Sequence, residues 1–146
     1  MAVRRAAAAG VVLLAAATAC TAGTANDPKI PDQGTLTRQA DQALSLLARS
    51  PHPGYADQPT ASGQDRADDK GREVSEAVTG RALFQIACSG HGQVTVTMPQ
   101  EQRSTLVDCG KAATSVPFRG ALTALVVGQR DSAGAYAWRI LPRRQQ

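Results

Sequence analysis

Arg81-Ala-Leu-Phe-Gln-Ile-Ala-Cys88, then Ser89-Gly-His-Gly92, then Val94-Thr-Val-Thr-Met98: this run decides the fold. Val94, Val96 and Met98 alternate with threonines, which is the period of a strand with one buried face. Before the glycine turn, Phe84, Ile86 and Cys88 fall on one face and Leu83, Gln85 and Ala87 on the other. Pro99 stops the second strand. Strand, short turn, strand is antiparallel grammar, with no room for a helical crossover.

The pattern continues toward the C-terminus. Arg103–Cys109 reads as a strand with Thr105, Val107 and Cys109 on one face. Gly110–Gly120, holding Pro117 and Phe118, reads as a connection. Ala121–Gly128 is apolar on both faces and is expected at the centre of a sheet. Ala135–Leu141 places Tyr136, Trp138 and Ile140 on one face, and Pro142 closes the unit. A sixth strand is expected near 73–78. The expected architecture over 80–142 is mainly β, a small antiparallel β-sandwich of two layers, with an open sheet covered by an N-terminal helix as the rival.

Upstream, Thr35–Ser50 reads as a short helix. Thr35 is placed to cap it, Leu36, Ala40, Ala43, Leu44 and Leu47 form an apolar stripe, and Pro51 and Pro53 end it. Residues 51–79, rich in proline, glycine and aspartate, read as a loop or linker. Residues 20–34 read as a tether and 143–146 as a tail.

A core of about sixty residues is thin and wants a covalent staple. Cys88 and Cys109 each end an inward-facing strand beside a turn. A bond between them closes a loop whose entropic value is about 3 kcal/mol. Two cysteines supply half of a zinc tetrahedron, and His91 sits in the turn beside Cys88, so no metal is expected.

The N-terminus carries Arg4 and Arg5, an apolar run from Ala6 to Ala17, and Thr18-Ala19-Cys20. The run is shorter than the roughly 20 apolar residues a spanning helix needs, so residues 1–19 read as an export signal. Ala17-Thr18-Ala19-Cys20 resembles the lipobox of bacterial lipoproteins, which implies acylation of Cys20 and durable attachment to the membrane. The expected location is the extracellular face of the cytoplasmic membrane. Export also suits the disulfide.

Cleavage after Ala19 removes two arginines, leaving 14 basic and 12 acidic residues. Cys20–Glu76 holds six basic and nine acidic groups; residues 77–146 hold eight and three. The basic half suits an anionic wall polymer or membrane surface. Nucleic acid is a poor partner, because no cluster of bases interleaves with aromatics.

Catalytic chemistry finds little support. His52 lies between prolines and His91 in a glycine turn. Ser89 lacks a nucleophile-elbow motif. Glu101, Asp108 and Asp131 show no reason to pair. Asp65, Asp68 and Asp69 lack the frame of a calcium loop, and Gly90 and Gly92 precede no helix that would cradle phosphate. No cofactor is expected. Candidate binding residues are Tyr136 and Trp138, whose rings would stack on a sugar if exposed and fill a core if not. The others are Arg119, Arg130, Arg139, Arg143 and Arg144.

The Ala-rich signal with Cys20, the stretch Cys88-Ser-Gly-His-Gly-Gln-Val-Thr-Val-Thr97, Val107-Asp-Cys-Gly110 and Ala135-Tyr-Ala-Trp-Arg-Ile140 together resemble small secreted lipoproteins of Streptomyces and related actinobacteria. The resemblance covers residues 1–20 and 80–142. It implies export, anchoring, the disulfide and a β-sandwich, and transfers no catalytic residue. The expected role is a non-catalytic surface module that binds a wall polymer, a glycan or an envelope protein. An accessory lipoprotein acting by protein contact is the alternative, and a small secreted hydrolase the remote one.

Overall fold

The computed structural model describes residues 32–145. The export signal and Cys20 lie outside the described residues. The element order is α1 (Gln33–Ala48), β1 (Ala61–Arg66), β2 (Arg72–His91), β3 (Gln93–Met98), a 3-10 turn (Pro99–Glu101), β4 (Arg103–Asp108), β5 (Thr114–Gly128) and β6 (Ala133–Pro142). All six strands join one antiparallel sheet in the order β1-β6-β2-β5-β3-β4.

One sheet forms two layers because two of its strands are too long to stay straight. At about 3.3 Å per residue, β2 would reach roughly 66 Å. A domain of this size has a radius of gyration of about 13 Å. The bend falls where the β2–β5 register slips between Ala77 and Arg81. Gly80 and Gly120 both lie in that interruption, with φ of 84° and 77°. Nothing would obstruct a Cβ at either position, so the left-handed backbone, not space, calls for glycine. Beyond the bend, one half of the sheet is the start of β2, the end of β5, β3 and β4. The other half is the end of β2, the start of β5, β6 and β1.

The two halves close on one core. Val74, Val94, Val96, Met98, Val107, Leu122 and Val126 meet Phe84, Ile86, Val116, Phe118, Tyr136 and Ile140 in a single buried cluster. The expected two-layered β fold is therefore present, built from one folded sheet. The Cys88–Cys109 bond joins the end of edge strand β4 to β2, so it staples one layer to the other. Gly110 N–H donates to Cys88 O at 2.8 Å beside it.

The opposite face of β2 is buried too. Ala87 and Ala137 pack under Ala43 and Leu47 of α1. The helix thus covers the outer face of one layer, so the rival expectation of a helix-covered sheet holds alongside the two layers. The cap differs from expectation: Asp32 caps the helix, accepting from Thr35 N at 2.9 Å and from the Thr35 hydroxyl at 2.8 Å. A carboxylate at the residue just before the helix faces its first free amides, whereas Thr35 already lies inside the first turn.

Two sequence readings are corrected. Residues 51–79 are not a linker. They contain edge strand β1 and the first part of β2, which includes the expected strand at 73–78. Ala61–Arg66 is polar because only alternate residues are half-buried against β6, and periodicity cannot see so short an edge. Gly110–Gly120 is not all connection either, since β5 starts at Thr114 and runs through Pro117. Proline is tolerated there because that half of β5 pairs with β2 alone.

Candidate functional site

The residues proposed from sequence do not converge. Tyr136 is 2% exposed, and burial raises its hydroxyl pKa, with the nearby Asp65 carboxylate adding to the effect. Trp138 is half-buried, 6.2 Å from the Phe84 ring and packed on Gly63 so closely that a Cβ there would meet the indole at 2.8 Å. Neither ring offers a free stacking platform. Arg130 lies exposed in the β5–β6 turn.

Arg139 is spent on the fold. Its Nε donates to Gln85 Oε1 at 2.8 Å, and another N–H donates to Ser50 O at 3.3 Å and faces His52 Nδ1 at 3.4 Å. Gln85, fully buried on β2, donates in turn to Pro51 O and to the Ser115 hydroxyl. These bonds hold the strap 50–57 against the outer face of the sheet. His52 Nδ1 lies 3.1 Å from Ser50 O and its Nε2 lies 3.2 Å from Asp57 Oδ1, so the ring links the backbone of the strap to Asp57. Asp57 also accepts from Arg144 through both oxygens, at 2.9 and 3.0 Å.

The His52 hydrogen bond and then the Arg144 charge hold the Asp57 carboxyl below its ordinary value of 3.8. Because the folded value is the lower one, this contribution is present above the ordinary value and is lost as the pH falls through the folded one. A carbon-detected titration is expected to place the Asp57 midpoint below 3.8, and the Arg144→Ala variant to move it upward. A midpoint that ignores Arg144 would remove that ion pair from the account of the strap.

The strap delivers Tyr55 to the end of the sheet, where it forms a bridge with Arg143. Arg143 N–H donates to Arg81 O at 3.0 Å, continuing the β6–β2 register in which Pro142 faces Ala82. Arg81 pairs directly with Arg119 across β2 and β5. Tyr55, Arg143, Arg81 and Arg119 therefore form one row across four neighbouring segments, beside the bend. They line a shallow cleft of about 290 Å³ together with Pro117, Phe118 and Glu101. Glu101 comes from the turn after β3, which packs against β5.

Like charges placed opposite one another on neighbouring strands cost stability. Here there are three in a row, and among the described residues none of them has a carboxylate within ion-pair distance. Two larger hollows, of about 350 and 430 Å³, flank α1. The first sets Arg66 against Asp41 and Asp65, and the second holds only Arg49 as a cation. Neither of these two hollows brings together a row of like charges such as the one at the bend.

Sequence reasoning named Arg119 and Arg143 but missed Arg81 and Tyr55. Arg81 opens a strand whose partner register no local pattern reveals, and Tyr55 lies in a stretch that reads as loop. Among the described residues no group of His, Cys, Asp and Glu could hold a metal ion. No described helix is long and apolar enough to cross a membrane.

Fold and cleft together define a class: a small, disulfide-stapled antiparallel β domain with one covering helix and a basic surface cleft. No protein-family profile and no curated protein matches the chain. A solved structure described as "Bacillus endospore appendages form a novel family of disulfide-linked pili" is similar over 58% of this chain and 85% of that chain, at 16% identity and a TM-score of 0.41. A likeness of that size assigns neither a family nor a role.

Proposed function

We propose that this protein is a non-catalytic module of the cell surface that binds an anionic polymer of the envelope through the arginine cleft. The row Arg143–Arg81–Arg119 carries the reading. Three guanidiniums with no ion-pair partner among the described residues lie within about one Debye length of each other, so they act as one multiply charged receptor. Arginine forks suit phosphate and carboxylate groups. The disulfide supports an oxidising compartment. Export and acylation of Cys20 rest on the signal sequence and on its resemblance to lipoproteins.

The test is binding of the purified domain to anionic polymer extracted from bacterial walls, immobilised on a sensor. The triple variant Arg81→Ala, Arg119→Ala, Arg143→Ala is expected to lose at least 100-fold in affinity. Its thermal stability should be equal or slightly higher, because the variant relieves repulsion between neighbours. Full-strength binding by a folded triple variant would refute the reading.

An accessory role by protein contact has a specific observation of its own. Leu106 on edge strand β4 and Leu125 on β5 are 58% and 42% exposed, on the layer that α1 leaves uncovered. Trapping of a partner by a photo-crosslinker at Leu106, with wild-type polymer affinity absent, would favour that role.

A further inference from the structure

Resting on the polymer-binding reading, we infer that the cleft holds two successive phosphates of a phosphodiester-linked chain, one between Arg143 and Arg81 and one between Arg81 and Arg119. Neighbouring strands are about 4.8 Å apart, so the three arginines stand at nearly even steps across the sheet. Three cations in a row leave two gaps. The repulsion in each gap is relieved best by an anion that accepts from both sides at once.

A phosphodiester has two unesterified oxygens pointing apart in a tetrahedral frame, so each oxygen can take an N–H from a different arginine. A carboxylate can also accept from two arginines, but only where both approach in the plane of its two oxygens, whereas the tetrahedral phosphodiester accepts from arginines that reach it from different planes. The row therefore favours a phosphodiester chain over a uronate chain.

Both ends of the row are bounded. Beyond Arg143 stands Tyr55, whose ring offers a surface to the polyol or sugar unit that follows a phosphate. On the β5 side, Glu101, from the turn that packs against β5, lines the same cleft. It repels a third phosphate there. Arg81 belongs to both gaps, so the central arginine matters more than its neighbours.

The probes are synthetic glycerol phosphate oligomers with one, two, three and four phosphates, and galacturonate oligomers of equal charge, measured by calorimetry on the purified protein. Affinity is expected to rise at least tenfold from one phosphate to two and less than threefold with each further unit. Galacturonates should bind at least fivefold more weakly at equal charge. Arg81→Lys, which keeps the charge but not the fork, should abolish the step from one phosphate to two, while Arg119→Lys and Arg143→Lys each lose part of it. Glu101→Gln should gain affinity for the three-phosphate oligomer. A rise that continues evenly to four phosphates, an equal preference for uronate, or Arg81→Lys behaving as wild type would each overturn the two-phosphate arrangement. If none of these chains and no extracted wall polymer binds, the polymer-binding reading falls as well. If extracted polymer binds through the arginines but the one-to-two step is missing, only the two-phosphate arrangement falls.

Discussion

Replacing both Cys88 and Cys109 with alanine is expected to lower the unfolding free energy by about 3 kcal/mol. The 21-residue separation of the two cysteines sets the scale through the entropy that the bond removes from the unfolded chain. For a domain of this length that corresponds to a fall in melting temperature on the order of 10 °C. The location makes the effect specific. β4 is an edge strand with β3 as its only strand partner, and the bond ties its end to β2 in the facing layer. Without it, amides of Arg103–Asp108 should exchange with solvent faster than those of the central strand β5. Thermal denaturation with and without reductant, followed by hydrogen exchange, reads both effects. A melting point shifted by less than about 3 °C would mean that core packing alone holds the layers closed.

Gln85→Leu is expected to cost about 2–3 kcal/mol although it adds apolar volume at a fully buried site. The cost arises from the partners. Leucine leaves the Arg139 guanidinium without its 2.8 Å acceptor and releases the Pro51 carbonyl that anchors the strap. Arg139 keeps its contact with Ser50 O, but its Nε–H is left without an acceptor in a half-buried site, which is penalised more than the lost hydrogen bond itself. The double variant Gln85→Leu, Arg139→Met removes both the charge and its acceptor and should recover at least half of the loss. Denaturant titrations of the two variants test this. Equal destabilisation by both would show that Arg139 finds adequate solvation alone. Because the strap carries Tyr55 to Arg143, Gln85→Leu should also weaken polymer binding, though it lies outside the cleft.

The strands with clean alternation were legible because burial on one face leaves a period of two in the residues. Val94, Val96 and Met98 are all buried, and so are Phe84, Ile86 and Cys88. Cys88 and Cys109 were legible as a pair because each closes an inward-facing strand beside a turn. β1 was not, since an edge strand that half-buries Ala61, Gly63 and Asp65 carries no apolar signal. Nor was the first half of β5, where Pro117 reads as a break until the absence of a second neighbouring strand is known. Tyr136 was ambiguous between platform and core, and only packing against the facing layer resolves it.

The sequence by itself determined the antiparallel β class, the helix before it and the covalent link between Cys88 and Cys109, because each is written in near-neighbour chemistry: alternation, turn residues, and thiols at strand ends. The tertiary structure alone decided that one sheet bends into two layers, and that Arg81, Arg119 and Arg143 stand side by side. Those outcomes depend on strand register, which a long-range pairing between β2, β5 and β6 fixes and no local stretch of residues encodes.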